Sequence, residues 1–182
     1  MANLVDRMVR AARLDANLYE EVEADTGAMW QAMTVVLLSS LAGGIGTPSQ
    51  QGVAALVGTA IGSLLGWYIW AFLTYYIGTR WLPEPATQAD TGQMLRTLGF
   101  ASAPGLLRIL GIVPGLRIAA LIIPSIWMLL AMVVAVRQAL DYESTARAVG
   151  VCLIGFLVQM AIIIALFVAF GLAASQTTAP VA

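Results

Sequence analysis

The sequence predicts an all-α fold, a polytopic membrane helical bundle of five transmembrane helices preceded by an N-terminal amphipathic interfacial helix. Three observations predict it. Of 182 residues, 60% are hydrophobic before the 17 glycines are counted, and only 10% are charged. A soluble domain carries about 45–50% apolar residues with glycine included, and about 25% charged ones. A water-borne globule of this composition would expose large apolar patches. The charges are also segregated, with none between Thr26 and Thr79. Finally, apolar stretches near the length of about 20 residues that crosses a bilayer alternate with short polar joints.

Residues 1–25 form a segment of their own, dense in arginine and acid. At 100° per residue, Leu4, Val5, Met8, Val9, Ala11 and Ala12 share one half of a helical wheel, and Asp6, Arg7, Arg10 and Arg13 the other. Leu14 alone breaks the pattern. Such a helix lies in the headgroup plane, with Arg7, Arg10 and Arg13 as membrane-surface contacts toward anionic lipid. The acids Glu20, Glu21, Glu23 and Asp25 that follow are expected to be a solvated face. No apolar core of a signal peptide occurs in these residues, and their arginines are mixed with acids.

The uncharged stretch after Thr26 is long enough for two spans, 28–45 and 53–77, parted by a turn-rich run at 43–52. A polar joint with Pro83 and Pro85 precedes the third span, 94–113. The pair Pro114-Gly115 makes a tight turn to the fourth, 118–136. A second polar joint, in which Glu143 and Arg147 are spaced for a helical ion pair, leads to the fifth span, 148–173. The transmembrane domain thus covers 26–174, and 175–182 is a short uncharged tail.

With five spans and the N-terminus in the cytoplasm, Arg7, Arg10, Arg13, Arg80, Arg96, Arg137 and Arg147 lie inside. Only Arg108 and Arg117 lie outside, the bias expected of an inner-membrane protein. The C-terminus then falls on the opposite side. A four-span arrangement with 94–113 re-entrant balances its arginines equally well; the reach of Arg108 toward the interface favours a full span.

Inside the spans, Gly58, Gly62 and Gly66 recur every four residues, with Ser63 on the adjacent stripe. Small residues at this spacing let another helix approach closely, from the same chain or from a partner. Trp67 and Trp70 sit too deep for an interfacial belt, and either fill space beside glycines or wall a pocket. Pro104 and Pro124 are expected to kink the third and fourth spans. Arg108 and Gln159 are the strongly polar residues at depth.

No chemistry is legible. The chain has no histidine, no lysine and the single cysteine Cys152. It therefore lacks the ligands of a zinc site, the base of a nucleophilic triad and the lysine of a phosphate-binding loop. No catalytic residue, metal or cofactor is expected. The net charge of −1 gives no footprint for nucleic acid.

Several segments together resemble the bacterial branch of the Yip family of Ypt/Rab-interacting membrane proteins. They are Leu18-Tyr19-Glu20-Glu21-Val22, Gly99-Phe100-Ala101-Ser102-Ala103-Pro104, Ile126-Trp127, Val136-Arg137-Gln138-Ala139-Leu140 and Ser144-Thr145-Ala146-Arg147-Ala148. The resemblance implies five helical spans, a cytoplasmic N-terminus and no catalytic site. The Asp-Leu-Tyr-Gly-Pro motif of the eukaryotic branch is missing, because Tyr19 is followed by Glu20-Glu21. Binding of a Rab GTPase is therefore not expected. The expected role is to organise partner proteins or lipids, or to serve as an accessory subunit through a partner or a second copy. The alternative is a small transporter or channel built on the kinked third and fourth spans.

Overall fold

A computed structural model describes residues 3–46 and 53–177, and every regular element within them is helical. Local side chains set the helix starts. The first helix, α1 (Leu4–Ala12), begins where the Asn3 side chain accepts the Val5 N–H. Leu14, which breaks the wheel pattern, takes a left-handed φ of 61° and turns the chain. The second helix, α2 (Ala16–Ala24), is capped by Asp15, which accepts the Asn17 N–H at 3.0 Å. Asp25 caps the short 3₁₀ turn Thr26–Ala28 that enters α3 (Met29–Gly46). Helix α4 (Val53–Tyr76) runs on as a π-helical stretch, Ile77–Trp81. A reciprocal capping box between Asp90 and Gln93 opens α5 (Thr91–Ala101). A 3₁₀ segment, Ala103–Ile112, precedes α6 (Arg117–Ala139) and α7 (Thr145–Thr177).

Four helices have the length and apolarity to cross a membrane: Thr26–Gly46, Ala54–Trp81, Arg117–Ala139 and Thr145–Ala165. The stretch 94–113, expected as one span, is instead broken at Ser102 into an 11-residue α-helix and a 10-residue 3₁₀ segment. Pro104 causes the break: it has no N–H to continue the α-helical ladder, and the chain tightens to the i−3 bonds Ser102 N–H to Gly99 O and Gly105 N–H to Ser102 O. Pro124 lies buried inside α6, which continues through it.

The apolarity of 94–113 has a different origin from that of its neighbours. All residues from Met94 to Gly105 are buried, enclosed by α2, α3, α4 and α6. The long helices instead leave rows of large side chains exposed, such as Val57, Ile61 and Leu65 on α4 and Ile118, Leu121 and Ile122 on α6. Protein surrounds the first; hydrocarbon solvates the second.

The bundle has two distinct ends. At one, Tyr142 places its hydroxyl 2.7 Å from the Leu82 carbonyl and 2.9 Å from that of Gly78, on the π-helical stretch. Arg147 lies 3.3 Å from Glu84 and donates to the Pro83 carbonyl, so Glu84 is its ion-pair partner instead of the expected Glu143. The Glu143 backbone N–H itself donates to Glu84. At the other end α3 meets the 3₁₀ segment. A Cβ on Gly46 would collide with the Arg108 backbone carbonyl, and one on Gly111 with the Gly46 carbonyl. Two backbones touch there because neither residue has a side chain.

Residues 1–25 are not an appendage. Leu18, Tyr19 and Val22 of α2 are fully buried, packed toward α5 and α6. The Trp127 indole N–H donates to the Ala12 carbonyl at 2.7 Å, tying the end of α1 to the middle of α6.

Candidate functional site

The arginines of α1 face the chain's own acids. Arg7 is buried; its guanidinium contacts Glu21 at 2.9 Å and Asp25 at 2.8 Å, and Nη1 donates to Gln31. Burial opposes the charge, but the bonds to Asp25 and Glu21 outweigh it and hold the group above its ordinary pKa. Arg10 pairs with Asp15 and Glu21 at 2.8 and 2.7 Å. Arg10 and then Arg7 accordingly hold Glu21 below the usual carboxylate range. The expected headgroup contacts Arg7 and Arg10 are thus engaged by the chain's own acids Glu21 and Asp25, Arg7 in a buried position and the other three partly exposed. Arg13 remains exposed, and α1 turns Val5 and Val9 outward.

Glu23 behaves differently from the other acids of α2. Burial, then the negative field of Asp141, raises its carboxyl to about 7, with Arg96 acting in opposition.

The glycine stripe of α4 has no occupant within the described chain. A Cβ on Gly58, Gly62 or Gly66 would meet nothing within 4 Å. Gly58 and Gly62 are exposed. A repeat of four residues advances 400° around a helix, so the stripe drifts by about 40° per step, and Gly66 reaches the wall of a half-open cavity between the helices together with Ser63. Ser63 donates to the Ala60 carbonyl of its own helix.

That cavity, of about 900 Å³, lies among α3, α4, the 3₁₀ segment, α6 and α7. Its wall is mostly apolar, as in Leu121, Leu129, Met132 and Phe156, and it gathers the polar residues Ser39, Ser102, Arg108, Arg117 and Gln159. Trp67 and Trp70 line it too. The Trp67 indole donates to the Leu95 carbonyl at 3.0 Å, while the buried Trp70 indole N–H has no partner among the described residues. The two readings of these tryptophans coexist, since the Trp70 ring also lies against Gly155 of α7.

Arg108 enters from the 3₁₀ segment, with its stem near Gly43. Nη2 donates to the Ser125 hydroxyl at 3.0 Å, and that hydroxyl donates to the Leu121 carbonyl of its own helix. The Arg108 Nε–H is buried and unpartnered. Neither Arg108 nor Arg117 forms an ion pair among the described residues. Gln159 lines the cavity without a hydrogen bond among them. Pro104, by contrast, shapes the segment that carries Arg108 and does not border the cavity.

Sequence reasoning singled out Arg108 and missed Arg117. A signal was present: both flank the Pro114-Gly115 turn, and no Asp or Glu occurs between Thr91 and Leu140. Among the described residues no cluster of His, Cys, Asp and Glu is suited to a metal ion.

A family model described as the Yip1 domain matches residues 16–173. The match begins at the first residue of α2. No curated protein and no solved structure matches the chain significantly.

Proposed function

The chain belongs to the Yip1 domain family, a multi-pass membrane protein with apolar helices, and on that premise we propose that it acts by binding, as a non-enzymatic organiser of membrane partners. One observation carries the reading: the Gly58–Gly62 face of α4 is open and, among the described residues, has nothing packed against it. A stripe without side chains gains little from disordered lipid tails, whereas a second helix can reach its backbone and collect dispersion contacts. The occupant is a helix of a partner subunit or of a second copy, which would make the chain an accessory subunit of a membrane complex.

We place the protein in the inner membrane of a bacterium with five crossings, counting 91–112 as the third. The position of Arg96 beside Val22 at one end of the bundle and of Gly111 beside Gly46 at the other supports that count. The N-terminus is then cytoplasmic. No Rab GTPase is among the partners. A reporter fused after Ala182 should read as non-cytoplasmic; a cytoplasmic reading refutes five crossings.

The test of function is co-purification in mild detergent. The wild-type chain should bring down a stoichiometric partner or a second copy, and Gly62→Leu should lose it while still inserting. A solitary wild-type chain, or an unchanged assembly in the variant, refutes the reading. A second reading, a small transporter, is favoured by the interrupted segment lining the cavity with Arg108. Flux into proteoliposomes that Arg108→Ala abolishes would establish it.

A further inference from the structure

The geometry points to the cavity among α3, α4, α6 and α7 as a binding site for a net-anionic glycerophospholipid, its phosphate held by Arg108 and Arg117 and its acyl chains lying along the apolar wall. The charge balance carries the argument first. Arg108 uses one side-chain N–H on Ser125, buries another unpartnered at Nε, and has no carboxylate in reach within the described residues. Arg117 borders the same space, also without an ion pair there. The sequence offers no remedy from the neighbouring elements: no Asp or Glu occurs between Thr26 and Pro83, between Thr91 and Leu140, or after Glu143. A partly buried guanidinium and an exposed one, neither with a counter-ion among the described residues, at the wall of a half-open and mostly apolar cavity favour an anion, and a phosphate ester fits a guanidinium in bidentate fashion.

The size and lining of the cavity choose the rest of the ligand. About 900 Å³ is many times what inorganic phosphate fills, and most of the wall is hydrocarbon. Pockets of this kind hold a largely apolar ligand oriented by a few polar groups. Ser39, Ser102 and Gln159 supply further polar atoms on the same wall. Beyond the cavity, α7 exposes Leu157, Met160 and Ile163, so an apolar tail leaving it continues along a surface made for hydrocarbon. A lipid brings anion and tail in one molecule and reaches such a site from within the bilayer.

This inference stands apart from the docking of a helix on α4. Gly62→Leu alters the outer face, and Arg108→Gln the cavity. The test uses the full chain, reconstituted with phosphatidylglycerol and phosphatidylcholine in equal amounts, re-extracted in mild detergent and analysed for retained lipid. Wild type should retain phosphatidylglycerol in about tenfold preference, as expected for charge-assisted hydrogen bonds. Arg108→Gln should abolish the preference, and Arg108→Lys, which keeps the charge but loses the two-pronged contact, should keep only part of it. Should Arg108→Gln fail to fold, Arg117→Gln, at an exposed position, should still lower the preference. Equal retention of both lipids by wild type, or an unchanged preference in Arg108→Gln and Arg117→Gln, overturns the proposal. Inorganic phosphate added to the detergent-solubilised protein should not displace the bound lipid. Displacement by phosphate alone would assign the site to a soluble anion and overturn it as well.

Discussion

The Arg96 guanidinium donates from Nε to the Val22 carbonyl at 2.9 Å, across 74 residues of sequence. Its Nη2 donates to the next carbonyl, that of Glu23. The last carbonyls of a helix have no partner within it and carry its negative dipole end. Arg96 therefore caps α2 from α5. It is buried, and the bond is charge-assisted. Arg96→Met keeps much of the apolar stem and removes the donors, which should cost about 1.5–3 kcal/mol. In thermal unfolding in detergent the variant should melt earlier, and limited proteolysis should cut first between α2 and α3. An unchanged melting profile would show that the cap contributes nothing.

The glycines of the bundle divide into those that touch backbone and those that face outward. Gly111→Ala drives a methyl group into the Gly46 carbonyl, and relief requires separating α3 from the 3₁₀ segment. Overpacking of this kind costs about 1–3 kcal/mol. Gly62→Ala meets open space inside a helix, where alanine is the better helix former, and should leave the isolated chain as stable or more stable by up to about 1 kcal/mol. Comparison of the two melting midpoints in detergent checks the assignment, which equal losses would contradict.

Glu23 gives α2 a pH dependence opposite in sign to that of its paired neighbours. Its folded-state carboxyl titrates at about 7 against an ordinary 4.5. The native state therefore binds the proton more tightly than the unfolded chain does. The associated stability is complete below 4.5 and is lost as the pH rises through about 7. Glu21 and Asp25, held low by Arg10 and Arg7, lose their contribution only as the pH falls below their own ordinary range. Between about pH 5 and about pH 8 only Glu23 should matter among these three. Wild type should be the more stable at the lower pH, and Glu23→Gln should flatten that slope. A slope retained in the variant would assign it to another group.

Tyr142 holds the joint between α6 and α7 onto the π-helical end of α4. Burial first, and then the charge of Glu84, pushes its phenol up to about 12, so the hydroxyl keeps its proton as a donor. Tyr142→Phe leaves the Gly78 and Leu82 carbonyls without it, and an unmet buried acceptor costs about 1–3 kcal/mol. The variant should show faster hydrogen exchange at the amides of 77–82 before global unfolding. Protection equal to wild type would remove the role assigned to the hydroxyl.

Composition and charge spacing alone determined that this is a helical membrane protein, because the cost of burying charge in hydrocarbon confines ionisable residues to joints and ends. Apolarity does not say what solvates a segment, and there the tertiary structure decided. The stretch 94–113 is as apolar as a span, yet its first half is enclosed by four helices. The same ambiguity governs the arginines of α1 and the glycines of α4. A helical wheel ranks faces without knowing that Glu21 and Asp25 fold back onto Arg7, and a four-residue repeat cannot tell that Gly46 and Gly111, 65 positions apart, are the pair whose backbones meet. Long-range contacts fix those partners, and the pairing of Arg108 with Arg117 around one cavity is likewise a property of the folded chain.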